Sequence, residues 1–277
     1  LKDSMTRAPV FAAKDIVHAA EIVKWIENNF NLLKKTAEST TSHGKLVGYC
    51  AYTAGTSVYV RFEFETMESM GMNMATIASE AASKIIENET GAKLIAVSGN
   101  LCCDKKPAAV NIIEGRGKTV TAGVFISDEI IESVLKTSSD AILEVNTRKN
   151  LVGSARACSL GFNSHAANII AGIYIASGQD AAHVVEGSTA ITTVDKSAGG
   201  LYISVTLPSI QVGTVGGGTA LPTQKECLSV MGCAGDNSSK KLAEIIACAV
   251  LAGELSLLGA LAAGHLGRAH KKLGRGE

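Results

Sequence analysis

Asp104, Lys105 and Lys106 follow one another in "VSGNLCCDKKPAAVNIIEGRGK" (Val97 to Lys118), behind an apolar strand and ahead of Pro107. Three charges in a row ordinarily mark a solvated loop. A loop opened by a strand and closed by proline can instead aim them at one point. His165 in "FNSHAANII" and Asp180 in "SGQDAAH" bracket an apolar helical stretch. An acid just past a helix end is normally solvated; buried beside Lys105, each group would shift the other's pKa. His265 and His270 stand five apart in "GHLGRAHKK". On a helix that offset is about 140°, so the pair cannot share one metal ion, and neither belongs to an HExxH. No metal is expected.

Two glycine-bearing stretches offer backbone in place of side chains. "GTVGGGT" (Gly213 to Thr219) lacks both the GxGxxG spacing and a P-loop GK[ST]. It says only that backbone approaches something closely, a ligand or a neighbouring helix. "MESMGMNM" (Met67 to Met74) precedes a helix. It reads either as a sulfur-rich core turn or as a phosphate or nicotinamide seat at a helix N-terminus, and spacing alone favours the core turn.

The elements that must position these groups come from patterning. "DIVHAAEIVKWIENNFNLLKKTAES" carries Ile16, Ala19, Ile22, Val23 and Ile26 at helical spacing. "GKLVGYCAYTAG" and "SVYVRFEFE" read as strands joined by a glycine turn. A helix from about Met74 to Glu87 and the strand "KLIAVSG" follow, giving a split βαβ-like α+β unit. Beyond it lie the strand "TVTAGVFI", a helix opening near Ser127 with Asp128 and Glu129 in its first turn, further helices, the strand "LYISVTLPSIQVG" and a helical end. The expected fold class is α+β: a large, mainly helical domain with an inserted small ferredoxin-like domain. The expected division is residues 1–8, 9–96 and 97–277.

Composition narrows the function classes. Of 277 residues, 46% are hydrophobic and 19% charged, which suits a globular core. Formal net charge is zero, so no global basic field would hold nucleic acid or anionic membrane. Aromatics at 4% also leave few stacking platforms for bases. Seven cysteines without a CxxC point to reduced thiols in a cytosol. "IIACAVLAGELSLLGALAAGHLG" is long enough for a span, but Glu254, Ser256 and its Ala and Gly content suit a core helix better. No signal peptide opens the chain, and its start at Leu1 reads as the interior of a longer protein.

"MGMNM", the DKKPAA loop, "KNLVGSA", "FNSHAANII", "GQDAAH", "PSIQVGTVGGGT" and "AGELSLLGALAAGHL" occur in that order. This ordered set resembles the catalytic portion of 3-hydroxy-3-methylglutaryl-CoA (HMG-CoA) reductases of the eukaryotic and archaeal form. The resemblance implies a four-electron reduction of an acyl thioester to mevalonate, with two NADPH and release of coenzyme A. It makes Lys105 the cation for the oxyanion, Asp180 its orienting carboxylate and His270 the acid that protonates the departing thiolate. It assigns substrate contacts to Arg7, Ser98, Asp104, Lys106 and Lys149, a coenzyme A contact to Lys136, and supporting positions to His165 and Asn168. Dinucleotide contacts fall on Thr41, Ser42 and Lys45, on Glu68, Met70, Gly71, Met72 and Asn73, and on Gly216, Gly217 and Gly218. Glu68 stands where the family usually has aspartate, and Ser42 where an arginine is common, so NADH is not excluded beside NADPH. The family's catalytic glutamate lies upstream of the residues matching "MTRAPV", so the chain by itself is expected to be catalytically defective. A homodimer or dimer of dimers, with sites between subunits, is implied, as is a cytoplasmic or cytosol-facing location without membrane contact from this segment. The rival readings are a non-catalytic CoA-binding relative and an acyl-CoA reductase with a nucleophile at Cys102 or Cys103.

Overall fold

Val58, Val60, Phe62 and Phe64 alternate along one strand and are all buried, because successive side chains of a strand point to opposite faces. That strand is the centre of the first of two packed halves in the computed structural model, which describes residues 1–264. His265 and His270 lie outside the described residues.

The first half comprises β1 (Lys2–Arg7), β2 (Val10–Ala12), α1 (Ile16–Glu38), β3 (Lys45–Ala54), β4 (Ser57–Glu65), α2 (Met72–Thr90) and β5 (Lys93–Ala96). Asp15 starts α1 by accepting the His18 N–H at 2.8 Å. Gly55, at φ 58°, makes the tight turn between β3 and β4. Ile22, Ile26 and Leu33 of α1 pack with Val58, Phe62 and Ile86 in a first core. The helix expected from about Met74 to Glu87 is longer at both ends, Met72 to Thr90. Left-handed Gly71 (φ 83°) turns the chain straight into it, and left-handed Gly91 (φ 69°) closes it. The strand read in "KLIAVSG" stops at Ala96, where its ladder with β2 slips beside Val10.

The second half begins with α3 (Ala109–Ile113) and β6 (Gly117–Ser127). The helix expected near Ser127 is a short α4 (Asp128–Ile130) that widens into a π-turn, Ile131–Leu135. Next come α5 (Ser139–Val145), a second π-turn (Asn146–Gly153), α6 (Ser154–Arg156) and α7 (Ala166–Ala176). A 3-10 turn (Ala181–His183), α8 (Val184–Gly187), β7 (Ile191–Ser197), β8 (Gly200–Ile210), α9 (Pro222–Val230) and α10 (Ser238–Ala262) complete it. Ile170 and Tyr174 of α7, Ile203 and Val205 of β8, and Leu242, Ile246 and Val250 of α10 form a second core.

One strand joins the halves. Met5, Thr6 and Arg7 of β1 pair with β4, whereas Lys2, Asp3 and Ser4 pair with β6. The result is an antiparallel sheet ordered β5-β2-β4-β1-β6-β8-β7, with β3 added on β4. The fold class is α+β, as the patterning indicates. By length and composition α10 could cross a membrane. Its stripe from Leu242 to Leu258 instead lies in the second core. A buried carboxylate, Glu254, sits within that stripe and is fully bonded: it accepts from the Ser164 and His165 N–H groups and the Thr192 hydroxyl at 2.7–2.8 Å. Burying a carboxylate without such donors would be prohibitive.

Candidate active site

Beyond β5 the chain enters a loop whose backbone is left-handed at three non-glycine residues, Asn100 (φ 63°), Cys103 (φ 50°) and Lys105 (φ 56°). The conformation at Lys105 sends its side chain to Asp180, Nζ to Oδ2 at 2.7 Å, and both side chains keep about two-fifths of their surface (42% and 38%). Asp180 is itself fixed, because its Oδ1 accepts the Ala182 N–H at 3.1 Å and opens the 3-10 turn. The Asp180 hydrogen bond raises the Lys105 pKa against the opposing effect of burial. Burial would raise Asp180, but the Lys105 hydrogen bond and the Ala182 N–H outweigh it, so its pKa is lowered. The pair therefore stays charged on both sides across the neutral range.

Below the pair lies a buried cluster that sequence reading missed. Arg116, fully buried, donates from NH1 to Glu186 Oε1 at 2.9 Å and from NH2 to Asp104 Oδ1 at 3.1 Å. His183 Nδ1 is 3.3 Å from the same Glu186 oxygen. The Asp104, His183 and Glu186 donor atoms lie close enough together to hold a metal ion. The Arg116 guanidinium bridges the two carboxylates and offsets one of their two negative charges. The one sequence signal was Arg116 between two glycines, Gly115 and Gly117, both at positive φ (75° and 73°).

Lys105 and Asp180 face a cavity of about 740 Å³ whose walls are the predicted cofactor stretches, Met70–Asn73 and Gly216–Gly218. Glu68 locks these walls together. Its carbonyl accepts the Thr214 N–H at 2.7 Å, and Ser69 bridges to Val215. Its carboxylate accepts the Ser239 N–H at 2.7 Å and the Ser238 hydroxyl at 3.1 Å, which caps α10. Burial would raise the Glu68 pKa, but the hydrogen bonds from Ser239 and Ser238 prevail and lower it. Of the roles left open by its sequence, the glycine loop visibly serves close packing against a neighbouring segment, that of Gly178. A Cβ on Gly178 would strike the Gly218 carbonyl at 2.4 Å, so these backbones pack together. Gly216 and Gly217, at φ 87° and 56°, border open space. Opposite them, α2 begins at Gly71 with no side-chain cap among the described residues, a helix start of the kind that suits an anion.

The remaining predicted positions divide. Arg7 donates to the Thr76 hydroxyl at 2.7 and 2.9 Å, and Ser98 pairs with buried Cys102 at 3.3 Å. Lys106 is exposed, its Nζ 3.1 Å from the Asp104 carbonyl. Thr41, Ser42 and Lys45 do not line the cavity, but their turn at Gly44 abuts Met74, which does. Glu68 acts from behind the wall. Lys149, His165 and Asn168 are absent from this cavity. Lys149 donates to Asn150, which also holds Ser164, whose N–H meets Glu254; His165 Nε2 is 2.9 Å from the Gly253 carbonyl. Asn168 is exposed on α7, and Lys136, left-handed at φ 58°, is exposed after the first π-turn. His270, the predicted proton donor, lies outside the described residues.

Glu68→Ala removes a helix cap, and its cost is expected at about 1 kcal/mol in urea unfolding at neutral pH. Because the folded pKa is lowered, the contribution is present above the unfolded carboxylate range and lost as pH falls. The variant and parent should therefore converge in acid, and a penalty that persists there would contradict the assignment.

The family model described as hydroxymethylglutaryl-coenzyme A reductase matches residues 1–275. A 3-hydroxy-3-methylglutaryl-coenzyme A reductase of Haloferax volcanii is 55% identical over 280 residues, covering 99% of this chain and 70% of that protein. That of Methanothermobacter thermautotrophicus is 57% identical over 275 residues, covering 99% and 69%. Reductase 1 of Dictyostelium discoideum is 46% identical over 287 residues, covering 99% and 52%. The class II reductase of Streptococcus pneumoniae, solved bound to NADPH, superposes with a TM-score of 0.72 at 19% identity. It covers 94% of this chain and 71% of that one, a likeness of fold. With more than half the residues shared along almost the whole chain, the protein belongs to the hydroxymethylglutaryl-coenzyme A reductase family.

Proposed function

We propose that Lys105, held charged by Asp180, stabilises the oxyanion formed as a thioester carbonyl is reduced in the site described above. The reaction is the NADPH-dependent reduction of HMG-CoA: two NADPH and two protons are consumed, and mevalonate, coenzyme A and two NADP⁺ are formed. The observation that carries the role of Lys105 is the 2.7 Å pair with Asp180 at the wall of a cavity built from two glycine-bearing backbone loops. The uncapped start of α2 and the open backbone at Gly216 and Gly217 fit the anionic, flat parts of a dinucleotide. When bound, NADPH supplies hydride to the substrate carbonyl. Lys105 Nζ then donates to the oxygen that gains charge, and a preformed ammonium in such a site acts without reorganisation. His270 is proposed to protonate the departing thiolate, since an imidazolium is a suitable donor to a thiolate of ordinary pKa. Residues 9–96, which supply every buried residue of the first core except Met5, are proposed as the dinucleotide unit, and residues 1–8 and 97–277 as the CoA and substrate unit.

The separation of Lys149, His165 and Asn168 from the Lys105 cavity supports a site completed between two subunits. Mixing Lys105→Ala and Lys149→Ala chains of the full-length protein tests this. In a mixed dimer one site carries both lesions and the other neither, so activity should return to about a quarter of wild type. No recovery on mixing would assign both lysines to one subunit. A cysteine nucleophile is less well supported: Cys102 is fully buried, and burial raises the Cys103 pKa. The packing of α10 in the core supports a catalytic unit facing water, and we place it in the cytoplasm.

A further inference from the structure

The left-handed backbone at Lys105 has a physical cause beneath it. The Lys105 main-chain N–H donates to Glu186 Oε1 at 2.8 Å. That one oxygen also accepts Arg116 NH1 at 2.9 Å and lies 3.3 Å from His183 Nδ1. Arg116 NH2 reaches the neighbouring carboxylate, Asp104, at 3.1 Å. Adjacent loop residues are thus held from below at two points, the side chain of Asp104 and the backbone of Lys105. The lysine side chain is left to pair with Asp180 at the cavity wall. The other half of the pair is held from the same place, because His183 ends the 3-10 turn that Asp180 begins. Glu186, Arg116 and His183 are each 0% exposed, and none lines the cavity.

A non-glycine residue in the left-handed region persists only where its surroundings over-determine it. At Lys105 the over-determining contact is a buried carboxylate that does not line the cavity. We propose that Glu186 is a positioning residue, fixing the backbone of Lys105 and the turn of Asp180 so that the ammonium meets the substrate oxygen. This rests on the reading of Lys105 as the oxyanion's cation. Glu186 acts on the hydride-transfer step through Lys105, whereas the cofactor walls are held separately by Glu68.

The test is a double-mutant cycle in the full-length protein, measuring kcat, the KM for NADPH and thermal unfolding. Glu186→Gln keeps an oxygen for the Lys105 N–H but removes the charge that holds Arg116. Glu186→Asp keeps the charge but falls one methylene short, and is read identically if the glutamine variant does not fold. Displacing a catalytic group by about 1 Å can cost on the order of 10²-fold, and a loss of that size in kcat is expected with the NADPH KM unchanged. In a Lys105→Ala background the same change should cost nothing further, since residues acting as one unit are non-additive. A full additional loss in that background, or wild-type kcat in a folded Glu186 variant, would overturn the proposal. Failure of the underlying reading is seen separately, as normal turnover in Lys105→Ala alone.

Discussion

Lys105→Ala, made in the full-length protein, lowers kcat for the CoA thioester by about 10²–10³-fold, the usual cost of one lost oxyanion donor. Unfolding should scarcely change, because the pair with Asp180 is two-fifths exposed and partial exposure screens such pairs. Asp180→Asn is the companion, keeping size but replacing one of the two accepting oxygens by an amide NH2 and removing the charge that keeps the Lys105 pKa raised. The pH dependence follows from the two shifts. Lys105, raised, contributes fully below the ordinary lysine range, and that contribution is lost as pH rises through its folded pKa. Asp180, lowered, contributes above the ordinary aspartate range and loses this as pH falls through its folded pKa. Activity that depends on the intact pair should be flat across neutral pH, and Asp180→Asn should bring the alkaline fall to lower pH. Unchanged turnover with a native melting curve in Lys105→Ala would remove this residue from the mechanism.

The second large effect is on stability. Arg116→Met strips the guanidinium from Glu186, which is wholly buried, and from Asp104. Breaking a buried pair by removing one partner costs about 3–5 kcal/mol, because the remaining charge has no solvent to return to. Urea unfolding of the variant should show a loss of that order. A double change, Arg116→Met with Glu186→Leu, should regain part of it, since apolar replacement of both partners of a buried pair is often near neutral. The Lys105 N–H and Asp104 still lose their partners. The double change should not regain activity, because Glu186→Leu takes away the acceptor of the Lys105 N–H. A loss under about 1 kcal/mol for Arg116→Met would show that the cluster is open to water.

Much of this protein could be read along the chain. The alternation in "SVYVRFEFE", the spacing of Ile22 and Ile26 and the apolar stripe of α10 each depend on near neighbours, and each formed the element its period specifies. The lysine loop and the two glycine-bearing stretches were also visible, because residue type at close spacing announces unusual backbone. Position in space was decided elsewhere. Lys105 meets Asp180, and its backbone meets Glu186 81 residues away, only once α7, α8 and β6 have packed. Neither acid differs in sequence from a solvated one. β1 reads as one strand, yet its two ends belong to two ladders, a division set by which partners occupy either side. Glu68 stands in a motif that suggested cofactor contact, whereas the approach of α10 turned its carboxylate into a helix cap. Local periodicity determines which face of an element must be buried. Only the assembled core determines which distant polar groups it buries together, and burial gives Arg116, Glu186 and Glu254 their bonded partners.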